Sequence, residues 1–164
     1  MNMNELLLEY LTSNKLMQLA TVAEGKPWLC NVYFVADADN NIYWTSAKRR
    51  RHSIEIHNNQ DVAATIVHSQ DNKQALQITG LAHEVDQAEV EKVHSLYGAK
   101  FGQKDSRLQE VRENYPDGDG RAYWVLKPTS IFFWDEVNFS DVPKQEYPLW
   151  PSTQSYFEPA VFVK

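Results

Sequence analysis

At 164 residues the chain is long enough for one domain with a sizeable core, and a 43% hydrophobic content excludes disorder over most of its length. A net charge of −6 argues against a general nucleic-acid binder, which needs a basic face, and the one cysteine, Cys30, cannot close an internal disulfide. There is no bilayer-spanning apolar run, no paired Cys/His spacing for a metal, and no leader pattern at the N-terminus, so a cytoplasmic protein is expected.

In chain order, Asn4 to Ser13 reads as a short helix with Leu7, Leu8 and Leu11 on its apolar face. Lys15 to Ala23 reads as a strand, Glu24 to Pro27 as a turn, and Trp28 to Ala36 as a second strand. That second strand is apolar on both faces, which predicts cover on both. Asp37 to Asn41 is a turn and Ile42 to Thr45 a third strand, so the pair reads as a hairpin. Lys48 to Asn59 reads as a helix, Val62 to His68 as a strand, and Gln74 to Val85 as the longest strand. Gly80 within it predicts a bulge or a close approach of another group. Asp86 and Glu89 have capping-box spacing ahead of a helix carried by Val90, Val93, Tyr97 and Phe101. A further helical piece is expected over Ser106 to Asn114, and a loop over Pro116 to Gly120. Arg121 to Leu126 and Ser130 to Asn138 read as two strands joined at Lys127-Pro128-Thr129. The domain is expected over 1–140, with 141–164 an extended tail packed on the body or on a partner subunit. Strands in close succession with a few inserted helices predict a mainly β fold, an antiparallel barrel with peripheral helices.

The segment Tyr43 to Ser53 stands out. Lys48-Arg49-Arg50-Arg51 is a run of cations in an acidic chain, placed where a strand ends and a helix begins. The hydroxyls of Thr45 and Ser46, open N–H groups at a helix start and guanidinium forks suit a phosphate. The competing reading is a solvated helix start, although cations there oppose the helix dipole. Gln77 is either a ligand contact or the outward residue of an alternating strand. Trp134 is either a stacking partner or core. Cys30 reads as a small buried residue, and His52 as a surface residue with a phosphate contact as the alternative. The five histidines share no ligand spacing, and no Ser-His-Asp arrangement stands out.

With these pieces in order, the chain resembles the FMN-binding split-barrel proteins of the pyridoxamine 5′-phosphate oxidase-like family, over roughly Leu6 to Phe139. The carriers are Leu19-Ala20-Thr21-Val22 with Gly25-Lys26-Pro27, Ile42-Tyr43-Trp44-Thr45-Ser46, and the basic helix start with Ile54 and Asn58-Asn59 behind it. Val62 to Ile66, Leu76 to Ala82 and Ile131 to Asp135 complete the set. The resemblance implies a split β-barrel homodimer with FMN at the interface. It implies an oxidoreductase that passes electrons from NAD(P)H through the flavin to a small acceptor; the alternative is a non-catalytic protein that holds flavin, deazaflavin or haem for storage or sensing. It implies phosphate contacts from Thr45, Ser46 and residues among Lys48, Arg49, Arg50 and Arg51. Asn31, Tyr33 and Gln77 are implied beside the ring, with Trp134 close to the cofactor, in some relatives from the other subunit. Gln60 stands where the family usually has proline, and the tail lacks the arginine-containing substrate motif of true oxidases. The likeness is therefore to the general stress protein-like branch.

Overall fold

The computed structural model describes residues 2–69, 71, 73–102, 111 and 120–149. Three helices and seven strands occur among them: α1 (Met3–Ser13), β1 (Leu16–Ala23), β2 (Lys26–Ala36), β3 (Ile42–Ala47), α2 (Arg51–Asn58), β4 (Asp61–Val67), β5 (Gln74–Glu84), α3 (Val90–Phe101), β6 (Arg121–Asp135) and β7 (Lys144–Glu146). All pairings are antiparallel, in the order β3-β2-β1-β4-β5-β6-β7, and β3 also pairs with β6. The order therefore returns on itself, as a split barrel requires.

Alternation places the core. Met17, Leu19, Phe34, Trp44, Ile66, Leu76, Ile78, Trp124 and Phe133 point inward and are buried. A second cluster, with Tyr43, Val93, Tyr97 and Tyr123, lies under α3. Helix α1 is fixed by Tyr10, whose hydroxyl donates to buried Asp135 at 2.7 Å. It opens on a capping box between Asn2 and Glu5.

The pairing that matters for the site is the short one. β2 meets β3 only from Phe34↔Trp44 to Ala36↔Ile42, whereas β3 runs along β6 from Ile42↔Leu126 to Ala47↔Arg121. Ahead of Phe34, β2 is held by β1 alone and parts from β3. A groove opens between the two strands, and the start of α2 sits at its end.

Several expectations need correction. Helix α2 starts at Arg51, because Lys48 and Arg49 form the turn that reverses the chain after β3. Strand β6 is continuous through Pro128. The register skips between Thr79 and Gly80, so Thr129 bulges beside Pro128, a place where a strand tolerates proline. Asp86 makes no side-chain cap; a 3-10 turn over Gln87–Glu89 intervenes, and Glu89 N–H bonds the Asp86 carbonyl instead. Within one chain the described residues do not cover both faces of β2: Trp28, Leu29 and Tyr33 are 39%, 62% and 50% exposed. The helix expected over 106–114 lies outside the described residues apart from Val111, and the loop over 116–120 lies outside them apart from Gly120.

Candidate functional site

The groove has a volume of about 770 Å3. β2 contributes Trp28, Cys30, Asn31 and Tyr33, β3 contributes Thr45 and Ser46, and the turn into α2 contributes Arg50, Arg51 and His52. Lys15, Arg121, Tyr97 and Phe101 arrive from elements distant in sequence. Four cations thus line the groove, and no carboxylate does among the described residues.

The arginines are organised by what lies behind them. Glu55 is buried one turn along α2, accepts from Arg51 Nε at 2.7 Å, and accepts the Thr21 hydroxyl. Arg51 also lies over the Trp28 ring, 4.4 Å from its centroid. One edge of the Arg51 fork is thereby fixed and the other faces outward. Burial works against the Glu55 charge, but hydrogen bonds from Thr21 and Arg51 outweigh it and hold its carboxyl below the usual range.

His52 is the second organiser. Its Nε2 lies 2.8 Å from Ser46 Oγ and its Nδ1 lies 3.4 Å from Cys30 Sγ. Burial pushes the imidazole pKa down and the Arg50 charge adds to this, against the pull of Glu55, so the ring is neutral at pH 7. Burial, with the Glu55 charge, pushes the Cys30 thiol up, so it keeps its proton. In either tautomer of the neutral ring, Nε2 ties down the Ser46 hydroxyl and Nδ1 faces the Cys30 thiol. Thr45 Oγ1 is buried with no hydrogen-bond partner, which is costly unless a ligand supplies one.

Of the residues singled out in the sequence, Asn31, Tyr33, Thr45, Ser46, Arg50 and Arg51 come together here. Lys48 turns away to Glu84 at 2.8 Å, and Arg49 is exposed off the groove. Gln77 and Trp134 lie outward on β5 and β6, and neither lines it. Gln77 shares one register row with Asn31, through Gln18 and Thr65, but three strand spacings, roughly 14 Å, separate them. His52 is not a surface residue; it is 8% exposed, and Cys30 is a half-buried wall residue rather than core. Sequence reasoning missed Lys15, Trp28, Glu55, Tyr97, Phe101 and Arg121. Only Glu55 carried a local signal, four residues after Arg51.

A cationic end, orphaned hydroxyl and aromatic wall can hold a phosphorylated aromatic ligand. A family model described as pyridoxamine 5′-phosphate oxidase matches residues 3–135. No curated protein matches the sequence. Among solved structures, the chain is similar to a candidate pyridoxamine 5′-phosphate oxidase from Listeria innocua, with 20% identity, TM-score 0.62, and coverage of 80% of this chain and 98% of that one. It is similar to HutZ, the haem storage protein of Vibrio cholerae, with 21% identity, TM-score 0.65, and coverage of 80% and 94%. It is also similar to General Stress Protein 26 of Bacillus anthracis, with 19% identity, TM-score 0.61, and coverage of 81% and 94%. Likeness at these identities shows the fold.

Proposed function

The chain belongs to the pyridoxamine 5′-phosphate oxidase family, and on that premise we propose that it is an FMN-binding flavoprotein, an oxidoreductase passing electrons from NAD(P)H through flavin to a small acceptor. The observation that carries this reading is the groove's charge, with four cations and no described carboxylate in an acidic chain. The residues fit the cofactor. Arg50 and Arg51 would take its phosphate, with Ser46 and the unpartnered Thr45 hydroxyl as further contacts. Each such charge-assisted bond contributes about 1.5–3 kcal/mol. Trp28, Tyr33, Tyr97 and Phe101 give a wall for a flat ring. Bound FMN supplies hydride and single-electron chemistry, so no acid–base pair is required of the protein. No arginine follows Arg121, so oxidation of a vitamin B6 phosphate is not part of the proposal.

The proposal includes a homodimer with the cofactor at its interface. The unpaired stretch of β2 and its exposed Trp28, Leu29 and Tyr33 need cover. A second copy would bring Gln77 and Trp134, outward on the same barrel surface, towards the groove.

The test is a titration of the protein with FMN, read by flavin absorbance and fluorescence. Saturable quenching that is lost in Arg50→Ala/Arg51→Ala supports the reading, and no flavin signal at any concentration ends it. A second reading, a carrier or sensor of flavin, deazaflavin or haem, is favoured by the likeness to a haem storage protein. Bound flavin that NAD(P)H does not bleach would select it. Haem fits less well: among the described residues His52 is the one histidine lining the groove, and both its nitrogens already have partners.

A further inference from the structure

A second cleft, of about 1110 Å3, lies between α1, the loop joining β2 to β3, and α3, and shares no lining residue with the groove. Leu8 and Leu11 of α1, Val35 of β2, and Leu96 and Ala99 of α3 form its apolar walls. Its size suits a small organic ligand.

Two cations line it, and they differ. Lys92 is neutralised by Asp37, 2.7 Å away, and also donates to Tyr43. Lys100 has no carboxylate partner among the described residues. Its Nζ donates to the Leu11 carbonyl at 2.9 Å and lies 3.9 Å from the centroid of the Phe34 ring. A second ring, Phe101, lies 5.9 Å away, and these contacts use one of the three ammonium hydrogens. The charged groups facing Lys100 are Lys15, ahead of β1, and the self-neutralised Lys92–Asp37 pair across the cleft. Tyr147 completes the rim. An ammonium ion half-removed from water without an anion, at the end of an apolar cleft, is charge-complementary to a carboxylate carrying an alkyl or aryl body.

We propose that this cleft binds an apolar carboxylic acid, its carboxylate on the Lys100 ammonium and its body against Leu8, Leu96 and Ala99. The proposal is independent of the flavin groove. Burial pushes Lys100 down to about 8, and the Lys15 charge adds to this. An opposite charge reverses that shift, so binding takes up a proton at about pH 8, and affinity falls as pH rises above it.

Calorimetric titration of the full chain with octanoate, with octanol as the uncharged control, tests this. Octanoate should bind saturably, more weakly at about pH 9.5 than at about pH 7, with proton uptake near about pH 8. Lys100→Met should weaken octanoate by at least about tenfold while leaving octanol unchanged. Lys100→Arg, charged throughout, should keep the binding and lose its pH dependence. Equal octanoate affinity in Lys100→Met, a pH profile unchanged in Lys100→Arg, or no saturable binding to the wild type would overturn the proposal.

Discussion

Ser46 Oγ and His52 Nε2 stand 2.8 Å apart across the turn that joins β3 to α2, and Cys30 holds the other side of the same ring. The ring is thus a positioning element for a hydroxyl that faces the groove. His52→Ala frees that hydroxyl to rotate. The loss expected is that of one hydrogen bond, about 0.5–1.5 kcal/mol, or roughly 2- to 10-fold in FMN affinity. Riboflavin, which lacks the phosphate, should bind both proteins equally. A matching loss for riboflavin would mean that His52 supports the groove as a whole.

Glu55 joins the barrel to the arginines. Its carboxyl is held below its ordinary range despite burial, chiefly by Thr21 and then by Arg51. A depressed carboxylate stabilises the fold above its unfolded pKa of about 4.3, and that stability is lost as pH falls through the folded value. Asp37 and Asp135 are shifted in the same direction, so the informative quantity is a difference between proteins. Urea midpoints measured from neutral pH downwards should show the gap between wild type and Glu55→Gln closing in acid. A constant gap would mean that the Glu55 charge contributes nothing to stability. Glu55→Ala should cost about 1–3 kcal/mol at neutral pH, because it strands the Thr21 hydroxyl and the Arg51 guanidinium.

Gly80 is required by the approach of β6. A Cβ there would meet the Lys127 carbonyl oxygen and lie 2.7 Å from Leu126 Cδ1. The oxygen is backbone and cannot rotate aside. Gly80→Ala is expected to destabilise by about 1–3 kcal/mol, seen as a lower urea midpoint at unchanged slope. An unchanged midpoint would mean that the bulge relaxes without cost.

Gly80 was legible in the sequence because a glycine inside a long β run weakens the strand and so marks a bulge or a close backbone approach. The β2–β3 hairpin and the Thr45–Arg51 turn were visible because hydroxyls, turn residues and cations followed one another locally. Arg121 was not visible as a site residue. It reaches the groove only because its Cα is registered against Ala47, a pairing across more than seventy intervening residues. Tyr97 and Phe101 were read as the apolar face of α3, which they are. That the same face also walls the groove depends on how α3 docks, with the Tyr97 hydroxyl on the Tyr33 carbonyl at 2.9 Å. Pro128 misled for the opposite reason: the local rule against proline in strands is strong, and the bulge at Thr129 absorbs it.

Dimerisation can be tested at Leu29, which is 62% exposed on the unpaired stretch of β2. Among the described residues this side chain is left largely uncovered, so Leu29→Asp should change the stability of a lone subunit by no more than about 0.5 kcal/mol. In a two-fold dimer each substitution counts twice. Burying a leucine contributes about 1.5–3 kcal/mol, so the pair costs about 3–6 kcal/mol, and dimer affinity should fall about 150- to 20,000-fold. Light scattering across a dilution series should show a wild-type dimer and a Leu29→Asp monomer. FMN affinity should fall with the dimer, since the second copy is proposed to bring Gln77 and Trp134 to the groove. A monomeric wild type that binds FMN would place the whole cofactor site within one chain, and Gln77 and Trp134 would then have no part in it.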